Sequence, residues 1–334
     1  MESWKPGADA GALKARSELL HVIREFFYRQ NVLEVITPTL GSRGVTDSQI
    51  QNLKLDHQEQ TFYLQTSPEY AMKRLLASGT GSIYQICPAY RGSEQGQNHN
   101  TEFLMLEWYR VGFTLHQLMD DVQNLLNFVA EAIDKSRFDF RDMPRFSYRD
   151  LFMENLESDP HTASLDELRA LSRRVGVECG HITNYDDEAT ISDYLDLLFS
   201  VVIEPQLGTP AIVYDYPVCQ VALAQLGQAE GNLNGTSYGK RVAKRFEVFA
   251  SGLELANGYL ELLDANELET RMRKNNHLRR VRGLERIEPD EKLLAALPTM
   301  PACSGIALGV DRLLMVLLGK EKLSDVVSFT SDRI

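Results

Sequence analysis

The 334-residue sequence carries only four cysteines, Cys87, Cys179, Cys219 and Cys303, with no CxxC pair and no histidine at zinc-finger spacing. That leaves no disulfide framework or zinc module to be read, and reduced thiols in a cytoplasmic protein are expected. Long apolar runs are missing as well. The N-terminal MESWKPGADAGALKAR has no signal-peptide core, and the apolar stretch near the C-terminus is interrupted by Asp311 and Arg312. Neither export nor a membrane association is expected. Basic residues are in deficit, 35 Lys and Arg against 47 Asp and Glu, for a net charge of −12. This balance opposes the phosphate attraction behind nonspecific nucleic-acid binding, so a polyanionic ligand would need a local cationic site. What is present, 43% hydrophobic and 25% charged residues, is ordinary for a folded chain and excludes wholesale disorder. There is no internal repeat or low-complexity tract.

Leu13, Leu19, Leu20, Ile23, Phe26 and Phe27 recur at helical spacing, so residues 12–30 read as an amphipathic helix. A short extended segment from Val32 to Ile36 ends at Pro38. Leu64-Gln65-Thr66 reads as a strand end, and Ser67 and Pro68 supply a cap and a first-turn proline for a helix to about Ala77. Residues 83–91 and 102–110 read as an antiparallel hairpin around the polar loop GSEQGQNHNT. Helical signals follow at 115–134, 165–175 and 191–202. After the Gly/Asn-rich GQAEGNLNGTSYG, a second hairpin near 242–250 and 253–263 turns at Ser251-Gly252. The basic segment 269–286 reads as a solvated helix face on which an acidic partner would also fit. Gly305-Ile306-Ala307-Leu308-Gly309 then leads into a last helix ending at Gly319. The expected class is α+β, an antiparallel sheet flanked by helices.

Three constellations stand out. Along 102–109, alternation places Phe103, Met105, Glu107 and Tyr109 on one face, with Arg91, Glu94 and His99 on the preceding loop. In the second hairpin Asn257, Tyr259 and Glu261 share a face, Gly258 would let a ligand near the backbone, and Glu247 and Glu254 flank the turn. Those two glutamates are an odd number of residues apart, so only the reversal or a bulge brings them together. In the third, Gly305, Ala307 and Gly309 form a nearly side-chain-free floor, and Arg312 opens the last helix. Singly, each pattern fits a half-buried strand, surface acids or a packing glycine equally well.

As a set, Pro38 after a long helix, Arg91 with its loop to Phe103, and GIALGVDR ending in Arg312 resemble the three signature motifs of class II aminoacyl-tRNA synthetases. TSPEYAMKRLL, HNTEFLMLEWYR, RFEVFASGLELANGYLELLDA and CSGIALGVDRLLM resemble the lysyl branch, over residues 12–334. The motif-one helix begins so early that no anticodon-binding domain is expected. The resemblance is thus to stand-alone lysyl-tRNA synthetase paralogues that modify elongation factor P, with MLEWYR and Ala307 favouring them. It implies a single catalytic domain over 1–334 with a mostly helical insertion at about 114–205, a homodimer through the Pro38 motif, ATP with Mg²⁺, and lysine or β-lysine as substrate. No tRNA partner is implied.

By the same resemblance, Arg91 contacts the α-phosphate, Arg312 grips the γ-phosphate end and stacks on the base, and Phe103 stacks on the other adenine face. Glu94, His99 and Gly309 line the nucleotide site, and Glu247 and Glu254 hold Mg²⁺. Glu261, Glu107 and Tyr109 receive the distal ammonium, with Tyr259 nearby. Ser67 and Glu69 receive the nearer ammonium, Asn257 the carboxylate, and Ala307 adds a methyl to the pocket floor. Two positions depart from the lysyl pattern: Glu94 lies three residues after Arg91 instead of two, and Thr101 replaces the usual proline. Other readings of the chain are a non-catalytic regulatory paralogue and an adenylate-forming ligase with a small-molecule or tRNA acceptor.

Overall fold

Leu19, Ile23, Phe26 and Phe27 are buried along an α-helix at Ala10–Arg29. The Asp9 side chain accepts the Ala12 N–H at 2.8 Å, which caps the helix start. The structure is a computed structural model describing residues 4–92, 96–133, 139–180, 182, 186–229 and 239–334. The chain divides into two compact units, residues 1–141 with 263–334, and residues 142–262.

In the first unit, strands Ile83–Tyr90 and Glu102–Val111 form the expected antiparallel pair, and strand Cys303–Gly309 pairs antiparallel along the other edge of Glu102–Val111. The extended segment expected at 32–36 shortens to Leu33–Glu34, parallel to Ile83–Tyr90, and leaves the sheet at Ile36, which is 93% exposed. A three-stranded sheet of Leu40–Gly41, Gln60–Leu64 and Lys54–His57 is also present.

One face of Glu102–Val111 is committed to helices. Trp108 Nε1 and Arg110 Nη2 donate to the Asp121 carboxylate, each at 3.0 Å, from within helix Leu115–Ala132. Phe27 stacks on Tyr84 and meets Trp108 edge-on. Alternation then leaves Phe103, Met105, Glu107 and Tyr109 on the opposite face.

Helix Ala265–Val281 holds most of the basic segment. Arg271 and Arg273 pair with Glu267 and Glu269 one turn back, as a solvated face predicts. Arg279 is the exception. It is only 2% exposed and donates to the carbonyls of Asp47, Ile50 and Glu285 at 2.6–2.7 Å, so its charge tethers a loop and is withdrawn from any docking surface.

In the second unit, strands Arg241–Ala250 and Leu253–Leu260 form a hairpin whose turn residues Ser251 and Gly252 both have positive φ, 56° and 66°. This is the twist-matched geometry that two-residue hairpin loops favour. Strand Ala211–Tyr216 pairs antiparallel with Arg241–Ala250, and Arg145–Ser147 runs parallel to Ala211–Tyr216. Helices Tyr148–Leu156, Leu165–Arg174 and Asp187–Leu198 contribute Tyr148, Phe152, Leu168 and Leu195 to a core that also takes Phe199, Tyr216 and Phe249. The 114–205 stretch therefore divides: Leu115–Ala132 falls in the first unit and the helices from Tyr148 onward in the second. Both units are α+β with antiparallel-dominated strands flanked by helices.

Burial holds the His161 imidazole down at about 4, with Lys240 and Arg149 adding to the effect and Asp159 opposing it. The folded value lies below the ordinary 6.5, so between those two pH values the unfolded chain takes up a proton that the folded one refuses. Stability is lost as pH falls through that window. Thermal melts of His161→Asn from pH 7 to 4 should fall less steeply than those of the wild type.

Candidate active site

At the expected strand-to-helix corner, helix Glu69–Ala77 starts one residue later than Ser67 and Pro68 suggest, with Pro68 at the cap position. The Ser67 hydroxyl still accepts the Glu69 N–H at 3.0 Å. It donates in turn to Glu107 Oε2 at 2.6 Å, while the Tyr109 hydroxyl donates to Glu107 Oε1 at 2.5 Å. Glu107 is 2% exposed. Hydroxyl donors orient a carboxylate without cancelling its charge, so this acid is preset for a cation. Its field is felt next door: burial first, then the Glu107 charge, push the Cys87 thiol up to about 12. Glu69 instead pairs with the buried Lys73 at 2.6 Å, one turn along the helix.

Cross-strand register explains the floor. Gly305, Ala307 and Gly309 lie opposite Tyr109, Glu107 and Met105, and paired residues share a sheet face. The small residues therefore keep space clear on this side of the acid, and the Ala307 methyl is the side-chain carbon that this floor places opposite Glu107.

Two contacts pair four of the expected nucleotide residues of this unit. The Arg91 guanidinium lies 5.1 Å from the Phe103 ring centroid, a cation–π pair. Arg312 Nη2 meets His99 Nε2 at 2.6 Å. A guanidinium only donates, so Nε2 is the acceptor and the imidazole proton sits on Nδ1. Glu94 lies outside the described residues.

Asp311, noted in the sequence only for splitting an apolar run, turns out to set this geometry. Its carboxylate accepts from Arg16 Nη1 at 2.5 Å and from the Leu104 N–H at 2.7 Å. It thereby ties the first helix and the Glu102–Val111 strand to the helix start that carries Arg312. Asp311→Ala strands the Arg16 charge and is expected to destabilise the fold by about 3 kcal/mol. Urea unfolding checks this, and an unchanged midpoint would contradict the role.

In the second unit the hairpin contains the bulge that the odd Glu247–Glu254 separation requires. Val248 pairs with Ala256 but Phe249 with Glu254, leaving Leu255 as the extra residue. Glu254 is thereby turned onto the face that holds Glu247, Asn257 and Tyr259. Glu247 is already engaged: Tyr216 OH donates to Oε2 at 2.7 Å, and Arg245 Nη2 and Asn257 Nδ2 donate to Oε1, the latter at 3.2 Å. Arg245 also donates from Nε to Asn257 Oδ1 at 3.2 Å and from Nη1 to the Gln220 carbonyl at 2.9 Å. Burial by itself would lower the Arg245 pKa, yet Glu247, with Tyr259, Tyr216 and Glu254, holds it above the usual value. Sequence reasoning passed over Arg245 because a lone arginine in a strand looks like surface.

Gly258 has a different reason from the expected one. A Cβ there would sit 2.5 Å from Phe246 Cε1, so the glycine makes room for a core ring and not for a ligand. Glu261 is buried, and its carbonyl accepts from Gln225 Nε2 at 2.8 Å. Asp196, unnoticed in the sequence, accepts from Gln220 Nε2 at 2.6 Å. Although solvent reaches Asp196, the surrounding protein desolvates it and, with the charges of Glu247 and Asp193, pushes its carboxyl up to about 7 against Arg245 and the Gln220 bond.

Among the described residues no three acids, histidines or cysteines gather as a metal cage. Two carboxylates on one face nevertheless fit Mg²⁺, which commonly takes one or two carboxylates and completes its shell with phosphate oxygens and water. Three donors already occupy Glu247, so an ion there would depend on the nucleotide for the rest of its ligands.

The model for class II tRNA synthetases of the D, K and N type matches residues 8–333. Elongation factor P–(R)-β-lysine ligase of Pectobacterium atrosepticum is 40% identical over 340 residues, 99% of this chain and 98% of that protein. The proteins of that description from Mannheimia succiniciproducens and Edwardsiella ictaluri are each 40% identical, covering 98% and 100% of this chain and 97% and 99% of their own. With the signature strands, the small-residue floor and the helix-start arginine in place, the chain belongs to the class II tRNA synthetase family of the D, K and N type.

Proposed function

We propose that this protein is an ATP-dependent, AMP-forming ligase that activates (R)-β-lysine, or lysine, and transfers it to a lysine side chain of elongation factor P. The observation that carries the reading is Glu107, a buried carboxylate oriented by Ser67 and Tyr109 beside the Ala307 methyl. A diamino acid brings a distal ammonium that must be paired once it leaves water, and this acid meets that need. The names of the relatives supply the acceptor.

In this reading a carboxylate oxygen of the amino acid attacks the α-phosphorus of ATP, and pyrophosphate departs. The lysine amine of the acceptor then attacks the adenylate carbonyl, forming an amide, releasing AMP and losing a proton. Arg91 binds the α-phosphate, Arg312 the γ-phosphate end, and Phe103 and Arg312 bracket the base, with Glu94, His99 and Gly309 alongside. Glu247 and Glu254 hold Mg²⁺, which neutralises phosphate charge when bound. Glu107, Tyr109, Tyr259 and Glu261 serve the distal ammonium, Ser67 and Glu69 the nearer one, and Asn257 the carboxylate. Chemistry of this kind depends mainly on positioning and fixed charge. The Ala307 methyl biases the choice between lysine isomers by only about 1–3 kcal/mol, so both should react at different rates.

The units work as one catalytic domain with a helical insertion, in the cytoplasm and without a tRNA acceptor. No helix among the described residues is long and apolar enough to cross a membrane. A homodimer is supported by Pro38 and by the exposed Tyr28, Leu33, Ile36 and Leu40 around it; light scattering at the monomer mass would refute it. ATP–pyrophosphate exchange with (R)-β-lysine and with α-lysine tests activation, and no exchange with either would end the ligase reading in favour of a binding paralogue.

A further inference from the structure

We propose that Asp196 is a positioning residue: from helix Asp187–Leu198 of the middle block it acts through Gln220 on Arg245, and so on Glu247 and Asn257. The chain of contacts is continuous within the second unit. Asp196 Oδ1 accepts from the Gln220 amide nitrogen at 2.6 Å, and the Gln220 backbone carbonyl accepts from Arg245 Nη1 at 2.9 Å. Arg245 then donates to Glu247 and to Asn257.

Two features give the Asp196 contact its leverage. Gln220 ends a three-residue 3₁₀ turn, Val218–Gln220, that follows Pro217. A turn so short has little hydrogen bonding of its own, and an anchored side chain is what fixes where its last carbonyl points. Gln220 is also buried, yet its amide oxygen has no hydrogen-bond partner among the described residues. The nitrogen end of this side chain is the one that meets Asp196, whose Oδ1 accepts from it. Losing Asp196 would leave the amide held by its hydrogen bond with Tyr148 alone and loosen the carbonyl that aims Arg245. The middle block, which carries no recognisable chemistry in the sequence, thereby acquires a role at the site.

The inference rests on the reading that Glu247 serves the metal-bound nucleotide, and the test separates the two. Calorimetric titration of ATP into the full-length protein, with Mg²⁺ and with EDTA, is compared for wild type, Asp196→Ala and Asp196→Asn. Asp196→Ala should weaken binding of Mg-ATP about tenfold, the scale of one hydrogen bond, and leave metal-free ATP binding unchanged. Asp196→Asn keeps an acceptor in the same place and should bind like the wild type. Equal affinities in wild type and alanine variant, an asparagine variant as weak as the alanine one, or equal weakening of both forms of ATP would each overturn the role. Should Asp196→Ala fail to fold, Gln220→Met removes the same bond from the other side and carries the same expectation. A wild type that binds Mg-ATP but exchanges no pyrophosphate would end the ligase reading while leaving this role standing.

Discussion

Arg312→Ala is expected to lower kcat/KM for ATP–pyrophosphate exchange by on the order of a thousandfold, the scale of removing a preorganised donor from a transition state. The guanidinium is held by structure on two sides. Asp311 pins the helix start through Arg16 and the Leu104 N–H, and His99 Nε2 accepts from the arginine itself. Because Arg312 is not part of the core, thermal stability should hardly change. Arg312→Lys keeps the charge but loses the planar fork, so its activity should fall between wild type and alanine. A loss of less than about tenfold in the alanine variant would remove Arg312 from the chemistry.

Glu107→Gln is expected to raise the KM for the amino acid by on the order of a hundredfold or more, because it removes one partner of a desolvated charge pair. Glutamine keeps the shape and still accepts from the Ser67 or Tyr109 hydroxyl, so the change isolates charge. ATP affinity should stay near wild type, since the proposed function gives Glu107 to the amino acid and Arg91 and Arg312 to the nucleotide. Equal loss of amino-acid and ATP binding would mean that the acid is structural. Glu261→Gln provides a parallel variant on the second hairpin.

Much of this architecture was readable in the residues because each signal was local. Alternation along 102–109 assigned a face, helical spacing found Ala10–Arg29, and Ser251-Gly252 marked the hairpin turn that positive φ values bear out. The parts that escaped have physical reasons. Strand Ala211–Tyr216 is buried on almost every residue, which erases the alternation that betrays a half-buried strand. The bulge at Leu255 comes from backbone pairing and has no side-chain mark, although the odd spacing of Glu247 and Glu254 called for one. Gly258 was misread because a glycine signals close approach without naming what approaches, here the Phe246 ring. Arg279, Asp311 and Asp196 are charged residues whose importance lies in partners distant in sequence, so spacing is silent about them; Arg245 is only two residues from Glu247, but its bonds to Asn257 and Gln220 exist only in the folded unit.

The sharpest test of the whole account is the mass of purified elongation factor P after incubation with this enzyme, Mg-ATP and (R)-β-lysine. A gain of one β-lysyl residue on one lysine, absent without ATP and strongly reduced with Glu107→Gln, is the predicted result. An unchanged mass while ATP–pyrophosphate exchange proceeds would contradict the assigned acceptor.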